Sequence, residues 1–179
     1  MLAAAVTIPD GIPVYIERLL AAINSLSEQI AAADKELEDL AAQEPVCQRL
    51  MSVPGVGPVT SMRFIAAIDD VSRFANAHAI QAFLGLTPGE NSSSMRQQRT
   101  GITKAGPAPV RRALVQAAWS IRRARPLDPI SQWAMEIEKR RGKFVATVAV
   151  ARKLAGILFA LWRDGSRYEP NHQLRKPTA

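Results

Sequence analysis

Cysteine occurs once in this 179-residue chain, as Cys47, and histidine twice, as His78 and His172. One thiol excludes an internal disulfide and a cysteine-based zinc site, and two distant histidines give no histidine cluster for a metal. Aromatic residues make up only 6% of the chain. With alanine abundant, that favours helices packed closely on one another over a β-sandwich. No strand pattern of useful length appears, and no internal repeat. A long hydrophobic run free of charge is also missing. The nearest approach, residues 144–162, carries Arg152 and Lys153 at its middle, a costly arrangement in hydrocarbon, so it reads as a core helix and not a membrane span. The opening MLAAAVTIPDG lacks the basic flank and apolar core of a secretory signal, so a cytoplasmic protein with no membrane partner is expected.

What is present is an ordinary globular composition, 47% hydrophobic and 22% charged, with its charge unevenly placed. Residues 1–50 carry eight acidic and three basic side chains, a net of −5, and residues 51–179 a net of +12. A basic body of that size suits a polyanionic partner, nucleic acid first among them.

Periodicity divides the chain into a coiled-coil helix over 1–45, a helical domain over 46–170 and a flexible tail over 171–179. Ile16, Leu19, Ile23, Leu26, Ile30, Ala33, Leu37 and Leu40 recur at alternating spacings of three and four, a heptad seam bounded by Pro13 and Pro45. Self-association through residues 16–40 and packing within the chain both satisfy that seam. Val53-Pro54-Gly55-Val56-Gly57-Pro58 separates two apolar helices as a helix-hairpin-helix-like turn. Its glycines either expose N–H groups to a phosphate or simply allow a tight turn. Asp69-Asp70 reads as capping, since neighbours on a helix point about 100° apart and do not readily grip one ion. Further helices are expected over about 76–84, 107–123, 129–141 and 144–162. The fold class is therefore all-α, about seven helices, with a long N-terminal coiled-coil helix followed by a compact helical domain.

The most informative stretch is Leu84–Arg112, LGLTPGENSSSMRQQRTGITKAGPAPVRR. Pro88 and Gly89 end the preceding element, so a polar loop is expected, with Ser92, Ser93 and Ser94 followed by Arg96, Arg99 and Lys104. Gly106-Pro107 then opens a helix that begins with Arg111 and Arg112. A hydroxyl that attacks a phosphodiester needs the developing negative charge neutralised, and arginines beside it supply that. A solvated connection has the same composition.

Gly85-Leu86-Thr87-Pro88, Ser92-Ser93, Ile102-Thr103-Lys104-Ala105-Gly106, Arg111, Leu114 and Ala117-Ala118 occur in an order that resembles the C-terminal transposase domain of the one-ten/one-sixteen/nine-oh-two insertion-sequence family. Val53–Gly57 upstream and Ala151–Ala155 downstream extend the resemblance over about residues 46–170. It implies DNA transposition and recombination through a serine nucleophile, in the bacterial cytosol and associated with the nucleoid. Transferred residue by residue, the nucleophile is Ser93, with Ser92 second; Ser94 stands where the family has glycine. Arg96 and Lys104 would neutralise phosphate, and Arg111 would brace the loop or contact the DNA backbone. The DNA-binding set is Gly55, Gly57, Arg96, Arg99, Lys104, Arg111 and Arg112. Family members also carry an N-terminal resolvase-like domain whose carboxylates bind Mg²⁺. No spaced carboxylate set in residues 1–50 replaces it, so no metal site is expected in this chain, which reads as a truncated or split copy. A guide RNA serves some family members, and these residues do not decide whether one serves here. The alternatives are a non-catalytic DNA-binding module that oligomerises through its coil, and a protein whose role is oligomerisation alone.

Overall fold

Prolines and short polar side chains set most of the helix starts. The structure, a computed structural model, describes residues 12–93 and 96–170, without side chains over 90–100. The tail expected over 171–179, the first eleven residues and Ser94 lie outside the described residues. Seven α-helices occur among those described: α1 (Val14–Gln43), α2 (Pro45–Leu50), α3 (Pro58–Ile68), α4 (Ala77–Phe83), α5 (Ala108–Ala124), α6 (Pro129–Arg141) and α7 (Lys143–Asp164). The fold is all-α, as expected. Helices α2, α3, α5 and α6 all carry proline in the first turn, where the missing N–H has no intrahelical partner to lose. Asn76 caps α4 by accepting from Ala79 N at 3.0 Å, and Asp128 caps α6 by accepting from Ile130 N at 2.8 Å.

Two compact units divide between Leu40 and Ala41. The first is most of α1, a 30-residue helix. Its seam is solvent-facing: Leu19, Ile23, Leu26 and Ile30 are each more than half exposed.

The second unit is built on α7. Its buried residues Val150, Ala151, Leu154, Ala155, Leu158 and Phe159 meet α5, α6, α4 and α2, and each large side chain so buried contributes roughly 1.5–3 kcal/mol. By length and mean hydropathy (1.9) α7 is the one helix among those described that is apolar enough to cross a membrane. Its central cations are nevertheless taken up by protein. Arg152 Nε donates to Gln81 Oε1 at 2.9 Å, and Lys153 Nζ lies 4.5 Å from the centre of the Trp133 ring. After α7 the chain turns back along the body, where Tyr168 N donates to Ser52 Oγ at 2.9 Å. Burial, with Asp128 beside it, pushes the Tyr168 phenol up to about 12.

Asp70 behaves as a cap. It accepts from Ser72 N and Ser72 Oγ at 2.8 and 2.7 Å, and the Ser72 bonds hold its carboxyl below the usual range.

One expectation is corrected. The serine stretch is not an irregular loop: β1 (Pro88–Ser93) and β2 (Arg96–Ile102) form an antiparallel hairpin. Cα partners run Ser93 with Arg96, Ser92 with Gln97, Asn91 with Gln98 and Glu90 with Arg99, and the register shifts between Pro88 and Glu90. The strands PGENSS and RQQRTGI hold few β-formers and do not alternate apolar with polar residues, so neither propensity nor periodicity marks them.

Candidate functional site

An isolated two-stranded hairpin is marginal in water, so the question is what holds this one. Its two ends cross at a backbone knot. Gly85 has φ +66°, and a Cβ there would lie 2.1 Å from Ala105 O; Gly106 has φ +74°, and a Cβ there would lie 1.9 Å from Phe83 O. Only glycine permits both the left-handed conformation and that approach. The crossing is tied by Lys104 N donating to Gly85 O at 3.1 Å and Thr103 N to Thr87 O at 3.0 Å. Arg111 then closes it from α5. One nitrogen, Nη1, donates to Leu84 O at 3.1 Å and to Ala105 O at 3.0 Å, one carbonyl from each side of the knot. Leu84 and Leu86 are buried, and Ile102 packs on the same core. The hairpin is thus rooted in the hydrophobic interior while its strands run through polar sequence.

Lys104 sits at this root in the left-handed region, φ +56°, and is exposed. A side chain bearing a Cβ is strained there by roughly 1–2 kcal/mol. Such strain collects where a particular side chain must be presented.

The predicted site residues fall into two groups. Ser92 and Ser93 on β1, Arg96 and Arg99 on β2, Lys104, Arg111 and Arg112 all belong to the hairpin or its root. Within that group Arg111 is committed to carbonyls, whereas Arg112 is exposed. Gly55 and Gly57 lie elsewhere. Gly55 (φ +81°) presses on the second half of α5, where a Cβ would lie 2.8 Å from Ala117 O and 3.0 Å from Ile121 N. Close packing is a sufficient reason for glycine there. Gly57 caps α3, and both Thr60 N and Ser61 N donate back to Gly57 O. Ser61 Oγ bonds Gly57 O and Pro58 O at 3.1 and 3.0 Å. These bonds engage the Gly57 carbonyl and the Thr60 and Ser61 N–H groups within the protein.

Beside Gly55 opens a cleft of about 760 Å³, lined among others by Gln116, Trp119, Arg122, Arg123 and Lys143. Sequence reasoning gave no role to Arg122 and Arg123, which stand in the last turn of α5. The available signal was the spacing. Arg111-Arg112 and Arg122-Arg123 are eleven residues apart, close to three turns, so each residue of one pair shares a face with its counterpart in the other.

Among the described residues no group of three or more His, Cys, Asp and Glu side chains is placed to hold a metal. These residues do not fit Mg²⁺.

The profile of a family described as "Transposase IS116/IS110/IS902 family" matches residues 47–130. That span takes in most of α2, all of α3 to α5 and the whole hairpin. The chain is 35% identical over 136 residues to a transposase for insertion sequence element IS1111A of Coxiella burnetii, a match over 75% of this chain and 37% of the relative. It is 30% identical over 150 residues to a probable family 20 transposase of Pseudomonas aeruginosa, covering 83% of this chain and 44% of that protein. A transposase for element IS1328 of Yersinia enterocolitica is 29% identical over 168 residues, or 89% of this chain and 50% of the relative. The chain thus spans half or less of these relatives' length.

Proposed function

The chain belongs to the IS116/IS110/IS902 transposase family, and from that premise we propose that it is the serine-bearing, DNA-contacting part of a transposase. One observation carries this reading. Gly85, Lys104, Gly106 and Arg111, four of the residues that carry the family resemblance, converge on the root of the hairpin that holds Ser92 and Ser93. A root made so costly in conformational freedom is built to present what lies beyond it.

In the proposed step the Ser93 hydroxyl oxygen bonds to a DNA phosphorus and the bond from that phosphorus to the 3′ oxygen breaks. The serine proton passes to a base or solvent, and the departing 3′ oxygen is protonated. The product is a 5′-phosphoseryl link and a free 3′ hydroxyl. Arg96, Arg99 and Lys104 bear the positive charge that offsets the crowded phosphate oxygens. An unassisted serine is a poor nucleophile at neutral pH, so activation is assigned to a resolvase-like segment that brings its own carboxylates and Mg²⁺. DNA is the partner, bound mainly through phosphates by the basic second unit. The exposed seam of α1 serves self-association: Ile23→Lys is expected to reduce the hydrodynamic size at tens of micromolar, and an unchanged size removes that part.

The experiment is adduct trapping on nicked suicide substrates with the resolvase-like segment supplied in trans. Loss of the adduct with Ser93→Ala supports the assignment, loss with Ser92→Ala alone moves the role by one residue, and an adduct that survives Ser92→Ala, Ser93→Ala and Ser94→Ala alike ends the serine mechanism.

A further inference from the structure

The cleft beside Gly55 belongs to neither the hairpin nor the serine chemistry, and its lining is unlike that of an ordinary surface groove. Its framework is Arg122, the inner member of its pair. Arg122 donates to Glu138 on α6, to Thr147 Oγ1 on α7 and to Lys143 O at 3.3 Å, so three helices are fixed around the opening and the Glu138 charge is neutralised. Trp119 forms one wall. The Lys143 ammonium lies 5.0 Å and the Arg122 guanidinium 5.4 Å from its ring centre, and Phe144 packs edge-on to it at 6.5 Å. Arg123 and Met135 are exposed at the same opening. Thr60, Gln116 and Ser120 also line it.

Three features together select the ligand. At about 760 Å³ the space is far larger than a single anion needs and falls within the range of small-molecule sites. The indole and the Met135 side chain favour a flat apolar ring. Hydroxyl and amide groups stand ready for the edges of such a ring, and two cations at the mouth favour an acidic group attached to it. A nucleobase with its phosphate has all of these properties. The solvated stripe of α5 leads there from the hairpin root: Arg112, Gln116, Trp119, Ser120 and Arg123 follow one another at helical spacing, and Arg112 and Arg123 are about 17 Å apart along the axis.

We infer that the cleft takes an unpaired nucleotide, its base against Trp119 and its phosphate on Lys143 and Arg123, from a strand that runs along α5 toward the serine hairpin. This rests on the DNA-binding reading above and deepens it, since a duplex keeps its bases stacked and cannot fill the cleft. The chemistry is shared by DNA and RNA strands.

The test measures anisotropy of labelled oligothymidylate, oligouridylate and a mixed-sequence duplex of equal length against the full chain. Trp119→Leu and Lys143→Ala are expected to weaken binding of one or both single strands about five- to tenfold, with duplex binding changed less than twofold. Because Trp119 also touches Phe144, Gln116→Ala and Arg123→Ala at exposed positions repeat the test without disturbing the core; each is expected to cost the single strand about threefold. Which of the two single strands responds more identifies the source. Equal losses on single strand and duplex overturn the inference, since the cleft would then read charge alone, as does competition by an oligoglutamate peptide at the oligothymidylate's own concentration. A wild-type chain that binds duplex while the cleft variants leave single-strand binding intact overturns the cleft but not the proposed function. A wild-type chain that binds no nucleic acid overturns both.

Discussion

The two ends of α5 present the same dipeptide to opposite uses of one design. At the first end Arg111 ties Leu84 O to Ala105 O across the hairpin root; at the other Arg122 ties α6 and α7 together through Glu138 and Thr147. In each pair the second arginine, Arg112 or Arg123, is exposed. A run of two arginines therefore divides its work. One guanidinium, with five donors in a rigid fork, serves the fold, while its neighbour, rotated about 100° around the helix, faces solvent. Arg111 spends one nitrogen on two carbonyls and Arg122 is paired with a carboxylate, so the exposed member of each pair is the freer of the two to meet a DNA phosphate.

The largest expected effect lies at the knot that Arg111 closes. Gly106→Ala forces a Cβ to within 1.9 Å of Phe83 O at φ +74°. Both the clash and the left-handed backbone oppose it, and a loss of about 3 kcal/mol or more in denaturant unfolding is expected. No crowding of that kind exists at Gly142, beside the other end of α5, where a Cβ meets nothing within 4 Å although φ is +83°. With ψ at 165° the backbone strain alone opposes Gly142→Ala, and about 1–2 kcal/mol is expected. Equal losses at the two glycines would mean that the knot is no tighter than an ordinary helix stop.

The next contrast is between the inner arginines. Arg111→Ala strands the carbonyl of the buried Leu84, while the exposed Ala105 O is left to water, and is expected to cost about 2 kcal/mol. Limited proteolysis should then open the chain first between Pro88 and Ile102. Arg122→Ala leaves Glu138, whose side chain is 36% exposed, to rehydrate, so about 1–2 kcal/mol is expected. A reversed order would place the stronger clamp at the cleft.

Much of the fold was legible because its causes are local. Proline in the first turn, Asn76 and Asp128 as caps, and the 3.6-residue stripe of α5 each act within a few residues. The cations at the centre of α7 were enough to identify it as a core helix. The hairpin was not legible, because its strands carry no alternating pattern and owe their pairing to a knot between segments about twenty residues apart. Nor was the distinction between Arg111 and Arg112. Periodicity shows that they face different ways, but only the packed structure says which way holds carbonyls. The cleft depends on α5, α6 and α7 meeting, which no single stretch of sequence records.

The outer arginines give a smaller effect, seen in binding and not in stability. Arg112→Ala and Arg123→Ala are each expected to leave unfolding free energy within about 0.5 kcal/mol of the parent. If each meets a phosphate of the single strand, each lowers the slope of log affinity against log salt by about 0.7 and weakens single-strand binding a few-fold at moderate salt. Loss of stability in either variant, with the slope unchanged, would erase the division of labour between inner and outer members.

The smallest expected effect is also the one that separates folding from function at the hairpin root. Lys104 is held at φ +56°, where an L side chain costs roughly 1–2 kcal/mol. Glycine relieves that strain but gives back roughly 0.5–1 kcal/mol of chain entropy. Lys104→Gly should therefore stabilise the protein, by about 0.5 kcal/mol in a denaturant titration. The backbone bond from Lys104 N to Gly85 O survives the change, so the knot stays tied and only the ammonium is lost. If that ammonium is what the strain exists to present, the more stable variant forms less seryl–DNA adduct and binds DNA with a shallower salt dependence. A variant that is both more stable and equally active would make the strained lysine an accident of the turn.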